Sequence, residues 1–155
     1  MSTITLPATT ERVTRHTAAA DQERIDARTR ESVRRYAGRP DDIGRRLGEL
    51  DREWDIERTL EANAASVMLA GVILGATIDR RFFLLPAAVA GFLLQHALQG
   101  WCPPLPLFRR LGIRTQREID DERAALKALR GDFARVPRAE GAVDGGLAAL
   151  DAARV

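Results

Sequence analysis

The sequence predicts an all-α protein: a two-helix transmembrane hairpin with amphipathic cytoplasmic helices before and after it. Three observations predict this. Residues Ala62 to Ile78 read ANAASVMLAGVILGATI, and Phe82 to Trp101 read FFLLPAAVAGFLLQHALQGW, both without a formal charge. Only Asp79, Arg80 and Arg81 lie between them. Both flanks are dense in Arg, Asp and Glu, yet carry apolar residues at helical spacing.

The two blocks hold about 17 and about 20 residues, and at 1.5 Å per residue they reach about 25 and 30 Å. A bilayer core is about 30 Å thick, so the first block is short unless it takes in Leu60. The second is long enough, although Gln95, His96 and Gln99 weaken its last third. A soluble bundle would need further strongly apolar helices to bury such a pair, and this sequence has none. The mean hydropathy of −0.22 hides the contrast, because it averages an apolar centre with polar arms.

Residues 1–17, rich in Thr, Ser and Ala, read as a disordered N-terminus without the basic start and apolar core of a cleavable signal. Residues 18–61 read as a polar helical arm. Its first helix runs from Ala18 to Ala37, with only Ile25, Val33 and Tyr36 as sparse apolar contacts. Gly38-Arg39-Pro40-Asp41 breaks it, and Asp41 or Asp42 can cap the next. That helix is expected from Asp42 towards Leu60, with Ile43, Leu47, Leu50 and Trp54 on one stripe.

Residues 62–108 form the expected hairpin and an interfacial segment. Gly71 and Gly75 make a G-x-x-x-G pattern on the first helix, and Ala87 and Gly91 make a small pair on the second. In lipid such residues let backbones approach closely. Two uses stay open: packing the hairpin on itself, or homodimerisation. Gln95 and Gln99 share a face with Gly91 and are expected to hydrogen-bond between helices. Pro86 falls in the first turn of its helix, where a missing N–H is tolerated. Arg45, Arg46, Arg52 and Arg58 precede the hairpin, and Arg109, Arg110, Arg114 and Arg117 follow it. The turn holds only Arg80 and Arg81, which favours both termini in the cytoplasm.

Pro103, Pro104 and Pro106 forbid a continuous helix past Trp101. Leu105, Leu107 and Phe108 are expected in the interface, with Arg109 and Arg110 at the headgroups. Residues 109–133 read as the amphipathic C-terminal helix, its start near Gln116 set by the capping box Thr115-Gln116-Arg117-Glu118. Ile119, Leu126, Leu129 and Phe133 share one face and suit the Ile43–Trp54 stripe, while Glu122 and Lys127 fall on the polar side. Residues 134–155, rich in Ala and Gly, read as a flexible tail.

At Gly100-Trp101-Cys102-Pro103 a pattern emerges: an apolar hairpin ending in Gly-x-Cys-Pro, then Leu111-Gly112 before the polar exit. With Glu57-Arg58 and the Asn63 entry, this resembles the YgaP-like inner-membrane domain family over about residues 57–114. The resemblance implies a two-helix bacterial membrane domain, in a standalone form. Some members carry a fused rhodanese domain, but here no strand-rich segment exists to build one, so sulfurtransferase activity does not carry over.

Few functional classes remain. A net charge of +2 with no aromatic-interleaved basic patch gives no argument for nucleic acid. No glycine loop suits a phosphate, and the carboxylates sit at helix starts or on solvated faces. Cys102, the one cysteine, excludes an intrachain disulfide and a cysteine-based zinc site. Along a straight helix it would lie about 9 Å from His96, out of contact unless the chain bends at Gly100. No catalytic residue, metal or cofactor is expected. The partners are the lipid bilayer and either a second copy or a larger membrane-protein complex. The expected role is that of a small non-enzymatic inner-membrane protein, self-associating or serving as an accessory subunit. The alternatives are a sulfur or redox relay through Cys102 and small-anion transport by an oligomer lined with Gln95 and Gln99.

Overall fold

The computed structural model describes residues 8–134, 136 and 149–153. Among the described residues the protein is helical and contains no strand. Among the described residues the main helices are α1 (Ala19–Ala37), α2 (Ile43–Leu50), α3 (Ile56–Thr77), α4 (Leu84–Gln99), α5 (Leu105–Arg110) and α6 (Gln116–Arg130). They fall into two compact units, Met1–Ile25 with Trp54–Gln116, and Asp26–Glu53 with Arg117–Val155.

The first unit is built on the hairpin. Asp55 caps α3 by accepting the Arg58 N–H at 2.8 Å, a standard N-cap bond. Asp79 ends the connection in the same way, accepting from Arg81 N–H at the start of a 3₁₀ turn, Arg80–Phe83. The helices are antiparallel neighbours, and the glycines show why they sit so close. A Cβ on Gly71 would lie 2.6 Å from Pro86 Cδ, and one on Gly75 would lie 2.9 Å from the Phe83 ring. The G-x-x-x-G pattern is therefore used within the hairpin, where Pro86 and Phe83 fill the space that a side chain would need. Ala87 and Gly91 do not join this packing: both are exposed, and a Cβ on Gly91 would have nothing within 4 Å.

Ile56–Thr77, 22 residues, and Arg80–Gln99, 20 residues, are both long and apolar enough to cross a membrane. Only 17% and 6% of their most apolar windows are buried in the protein. The core helices of a soluble protein are mostly covered by protein, whereas these two are largely bare within this chain.

Several sequence expectations are revised in this unit. Residues 8–17 are folded: Val13 is 4% exposed and packs with Ile56, Leu60, Cys102 and Leu105. Residues 1–7 of the expected disordered N-terminus lie outside the described residues. The second helix of the polar arm does not run on from Asp42 towards Leu60. It breaks at residues 51–55, and Ile56 to Glu61 belong to the same helix as the first apolar block. Trp54 lies in that break, exposed, with the Arg58 guanidinium 4.3 Å above its ring. The helix is not continuous past Gln99, as the prolines predict, but Pro104 and Pro106 also begin a new one: they occupy the N-cap and first turn of α5, where a missing N–H is harmless. Leu105 and Arg109 are fully buried, so neither faces headgroups. The Arg109 side chain donates to Thr17 Oγ1 at 3.0 Å, Gln22 Oε1 at 2.8 Å and the Ile113 carbonyl at 2.8 Å. Leu107 and Leu111 remain exposed.

The second unit is a small helical bundle. Ile43, Leu47 and Leu50 of α2 pack with Ile119 and Leu126 of α6, and Tyr36 closes the cluster. The stripe thus pairs as its spacing predicts, without Trp54. The C-terminal helix starts at Gln116, as the capping box predicts, while Arg109 and Arg110, grouped with it in the sequence, belong to α5. Leu129 and Phe133 are exposed, whereas Glu122 and Lys127 are buried. Glu122 is fully enclosed: Arg46 donates to it at 2.9 and 3.2 Å, and Ser32 at 2.5 Å. Three helices of the unit thus meet at one carboxylate. Lys127 donates to the Ala153 carbonyl at 2.7 Å, and residues 149–153 are helical, which revises that part of the expected tail. Residues 135, 137–148 and 154–155 of the tail lie outside the described residues.

Candidate functional site

The site is created by the way α4 ends. Gly100 adopts φ +80°, a left-handed conformation that glycine enters without strain. Its N–H closes the helix on the His96 carbonyl at 2.7 Å, the C-terminal cap that glycine favours. A side chain here would also overlap the Arg12 backbone, which runs directly against this glycine. After the reversal, Leu105 N–H bonds the Cys102 carbonyl at 3.1 Å and α5 begins. The turn carries Cys102 back beside the His96 ring, within interaction range. The bend at Gly100 on which this contact depends is therefore present, and the separation along a straight helix does not apply.

Glu57, in the first turn of α3, completes the arrangement. Its Oε2 lies 2.8 Å from His96 Nε2, and its Oε1 accepts from Arg12 at 2.8 Å. Arg12 also donates to the Ala97 carbonyl at 3.1 Å, and His16 Nε2 lies 3.1 Å from the Gln99 carbonyl. The N-terminal segment is thus latched onto the end of α4, which has spare carbonyls to offer. A carboxylate only accepts, so the proton on Nε2 is assigned from the network. In the neutral ring this leaves Nδ1 as an acceptor. His96 is 3% exposed, and Nδ1 has no hydrogen-bond partner. Buried imidazole nitrogens are usually satisfied, so this atom stands out.

Two cavities flank the arrangement. A smaller one of about 160 Å³ is lined by Arg12, Glu57, Glu61 and His96 with Leu60, Leu93 and Ala97. The larger, about 450 Å³, lies between α3 and α4 and is lined by Leu60, Ala64, Val67, Val89, Phe92 and Leu93. Asn63, Cys102, Pro103 and Pro104 complete its wall. A thiol at an apolar cavity, beside an imidazole held by a carboxylate, has the parts of an activated nucleophile: the sulfur, a base and a group that orients the base.

The predicted site residues divide accordingly. Gly100, Cys102 and Pro103 meet here, with Trp101 half-buried in the turn. Gly71 and Gly75 serve hairpin packing, while Ala87 and Gly91 face outward. Gln95 is half-buried and Gln99 exposed; among the described residues neither amide bonds to α3, and Gln99 acts through its carbonyl. Arg12 and Glu57 were not legible as site residues, and His16 had no expected role. Among the described residues no group of three or more His, Cys, Asp or Glu is placed to hold a metal ion. The chain matches no family model, no curated protein and no solved structure.

Proposed function

We propose that this is a small bacterial inner-membrane protein whose hairpin crosses the bilayer, with both termini in the cytoplasm. It acts without enzymatic turnover, as a self-associating element or as an accessory subunit of a larger membrane complex. The resemblance to YgaP-like hairpin domains agrees with this reading. The observation that carries it is the bareness of the two apolar helices, 17% and 6% buried where they are most apolar. Surface of that kind has no stable place in water but is at home in hydrocarbon. The outward Ala87–Gly91 face supports a second helix docking from outside the hairpin. Membrane fractionation followed by cross-linking in native membranes tests both parts. The protein is expected in the carbonate-resistant pellet and in cross-linked species larger than the monomer. A protein that stays soluble without detergent, or is monomeric in every membrane and detergent, overturns the reading.

A second reading, a reactive thiol at Cys102 serving a sulfur or redox relay, is favoured by the juxtaposition of Cys102 and His96. It predicts that thiol labelling in membranes disappears in Cys102→Ser and slows in His96→Gln. Labelling unaffected by His96→Gln would remove the imidazole from the account.

A further inference from the structure

We infer that Cys102 is an acylation site: its sulfur accepts a long-chain acyl group from an acyl thioester, and the apolar cavity between α3 and α4 houses the chain. This rests on the reading of Cys102 as a reactive thiol and names the co-substrate class.

The cavity beside Cys102 suits an acyl chain. Its volume is about 450 Å³, and Cys102 lies in its wall. The lining from Leu60 to Val67 follows α3 for about 10 Å, at 1.5 Å per residue. Asn63 is its one amide side chain. A hydrocarbon chain fits such walls, whereas a polar ligand would lose its hydrogen bonds to water without replacement. A sulfane sulfur or a small thiol has no use for an apolar space of this size, which separates acyl transfer from sulfur relay.

The His96 ring points the same way, apart from the cavity. His96 Nδ1 is buried without a partner, while Nε2 is held by Glu57. The His96 ring beside Cys102 takes the thiol proton as the sulfur attacks the thioester carbonyl carbon. The new carbon–sulfur bond forms to Cys102, and the carbon–sulfur bond of the donor breaks. The donor leaves as a thiolate and recovers the proton from His96 as a thiol. One thioester replaces another, with no oxidant or reductant. Cys102 itself is 5% exposed and packs with Val13, Ile56, Leu60 and Leu105, so a thioester formed there would be shielded from water.

The full chain, purified in lipid nanodiscs, is incubated with palmitoyl-coenzyme A or acetyl-coenzyme A and followed by intact mass. One palmitoyl addition is expected, reversed by neutral hydroxylamine and absent in Cys102→Ala. His96→Gln is expected to slow transfer about 100-fold, the scale of general-base assistance. Ala64→Phe fills the cavity and is expected to slow palmitoyl transfer about tenfold, as lost pocket contacts do, while sparing acetyl transfer. Val67→Phe, one turn farther along α3, gives the same contrast if Ala64→Phe fails to fold. Palmitoylation of Cys102→Ala at the wild-type rate overturns the inference. So does a cavity-filled, folded variant that loses both chain lengths equally or neither. N-ethylmaleimide separates the two levels. A Cys102 that it alkylates but that never accepts palmitate leaves the reactive-thiol reading standing and removes acylation. A Cys102 inert to both removes the reading as well.

Discussion

Replacing Gly100 by alanine tests the turn on which the whole site depends. Two costs combine. The left-handed backbone, φ +80°, costs about 1–2 kcal/mol for a residue with a Cβ. The new methyl would also overlap the Arg12 backbone, which has no rotamer by which to escape. Displacing Arg12 breaks its bonds to the Ala97 carbonyl and Glu57, and strains the His16 contact to Gln99. At about 1 kcal/mol per bond, two or three losses add about 2–3 kcal/mol. The expected total is about 3–5 kcal/mol. Gly131 provides the control: its φ is +86°, but a Cβ there would have nothing within 4 Å. Gly131→Ala should therefore cost only the torsional part, about 1–2 kcal/mol. Denaturant titration in mild detergent compares the two totals. Limited trypsin cleavage after Arg12 and Arg15 reads the local release, since at low protease it tracks the open population. An extra 2 kcal/mol corresponds to roughly 30-fold faster cleavage in Gly100→Ala. Equal costs for the two variants, with unchanged cleavage at Arg12, would refute the claim that close approach latches residues 8–17.

Three further outcomes follow from the packing. Gly75→Val should splay the hairpin at its turn and lower stability by about 1–3 kcal/mol, an overpacking cost, whereas Gly91→Ala should stay within about 0.5 kcal/mol of wild type; denaturant titration in detergent compares them. Glu122→Ala strips a fully buried carboxylate from Arg46 and Ser32 and should cost about 3–5 kcal/mol. Hydrogen exchange on α2 and α6 should report it, with much of the loss recovered when Arg46→Met is paired with Glu122→Leu. Arg109→Lys removes the planar fork that reaches Thr17, Gln22 and the Ile113 carbonyl together, and should cost about 2–4 kcal/mol by the same titration.

The apolar blocks, the Ile43–Leu47–Leu50 stripe and the Thr115 capping box were legible because each is a local pattern. Hydropathy, a period near 3.6 and a cap are written within a few residues of where they act. The segment around Val13 was not legible. It is short, rich in threonine and without periodicity, and its order comes from long-range contacts of Arg12, Val13 and His16 with α3 and the end of α4. Buried charge was missed for a different reason. A polar–apolar pattern assigns Arg109, Glu122 and Lys127 to solvent, and nothing local reveals that Arg46 or Thr17 waits for them. The site itself was half legible. Gly100 directly after an apolar helix signals a left-handed cap and a chain reversal. That reversal is what returns Cys102 to His96. Glu57 gave no such signal, since a carboxylate in a first helical turn is ordinarily explained by the helix dipole.

The two apolar helices are expected to cross a bilayer and return. Single cysteines at Arg81 and at Thr10, each in a Cys102→Ser background, test that crossing with a membrane-impermeant maleimide on intact cells. Arg81→Cys should label from outside, and Thr10→Cys only after the membrane is permeabilised. Labelling of Thr10→Cys from outside, or of neither position until the cells are lysed, would contradict it.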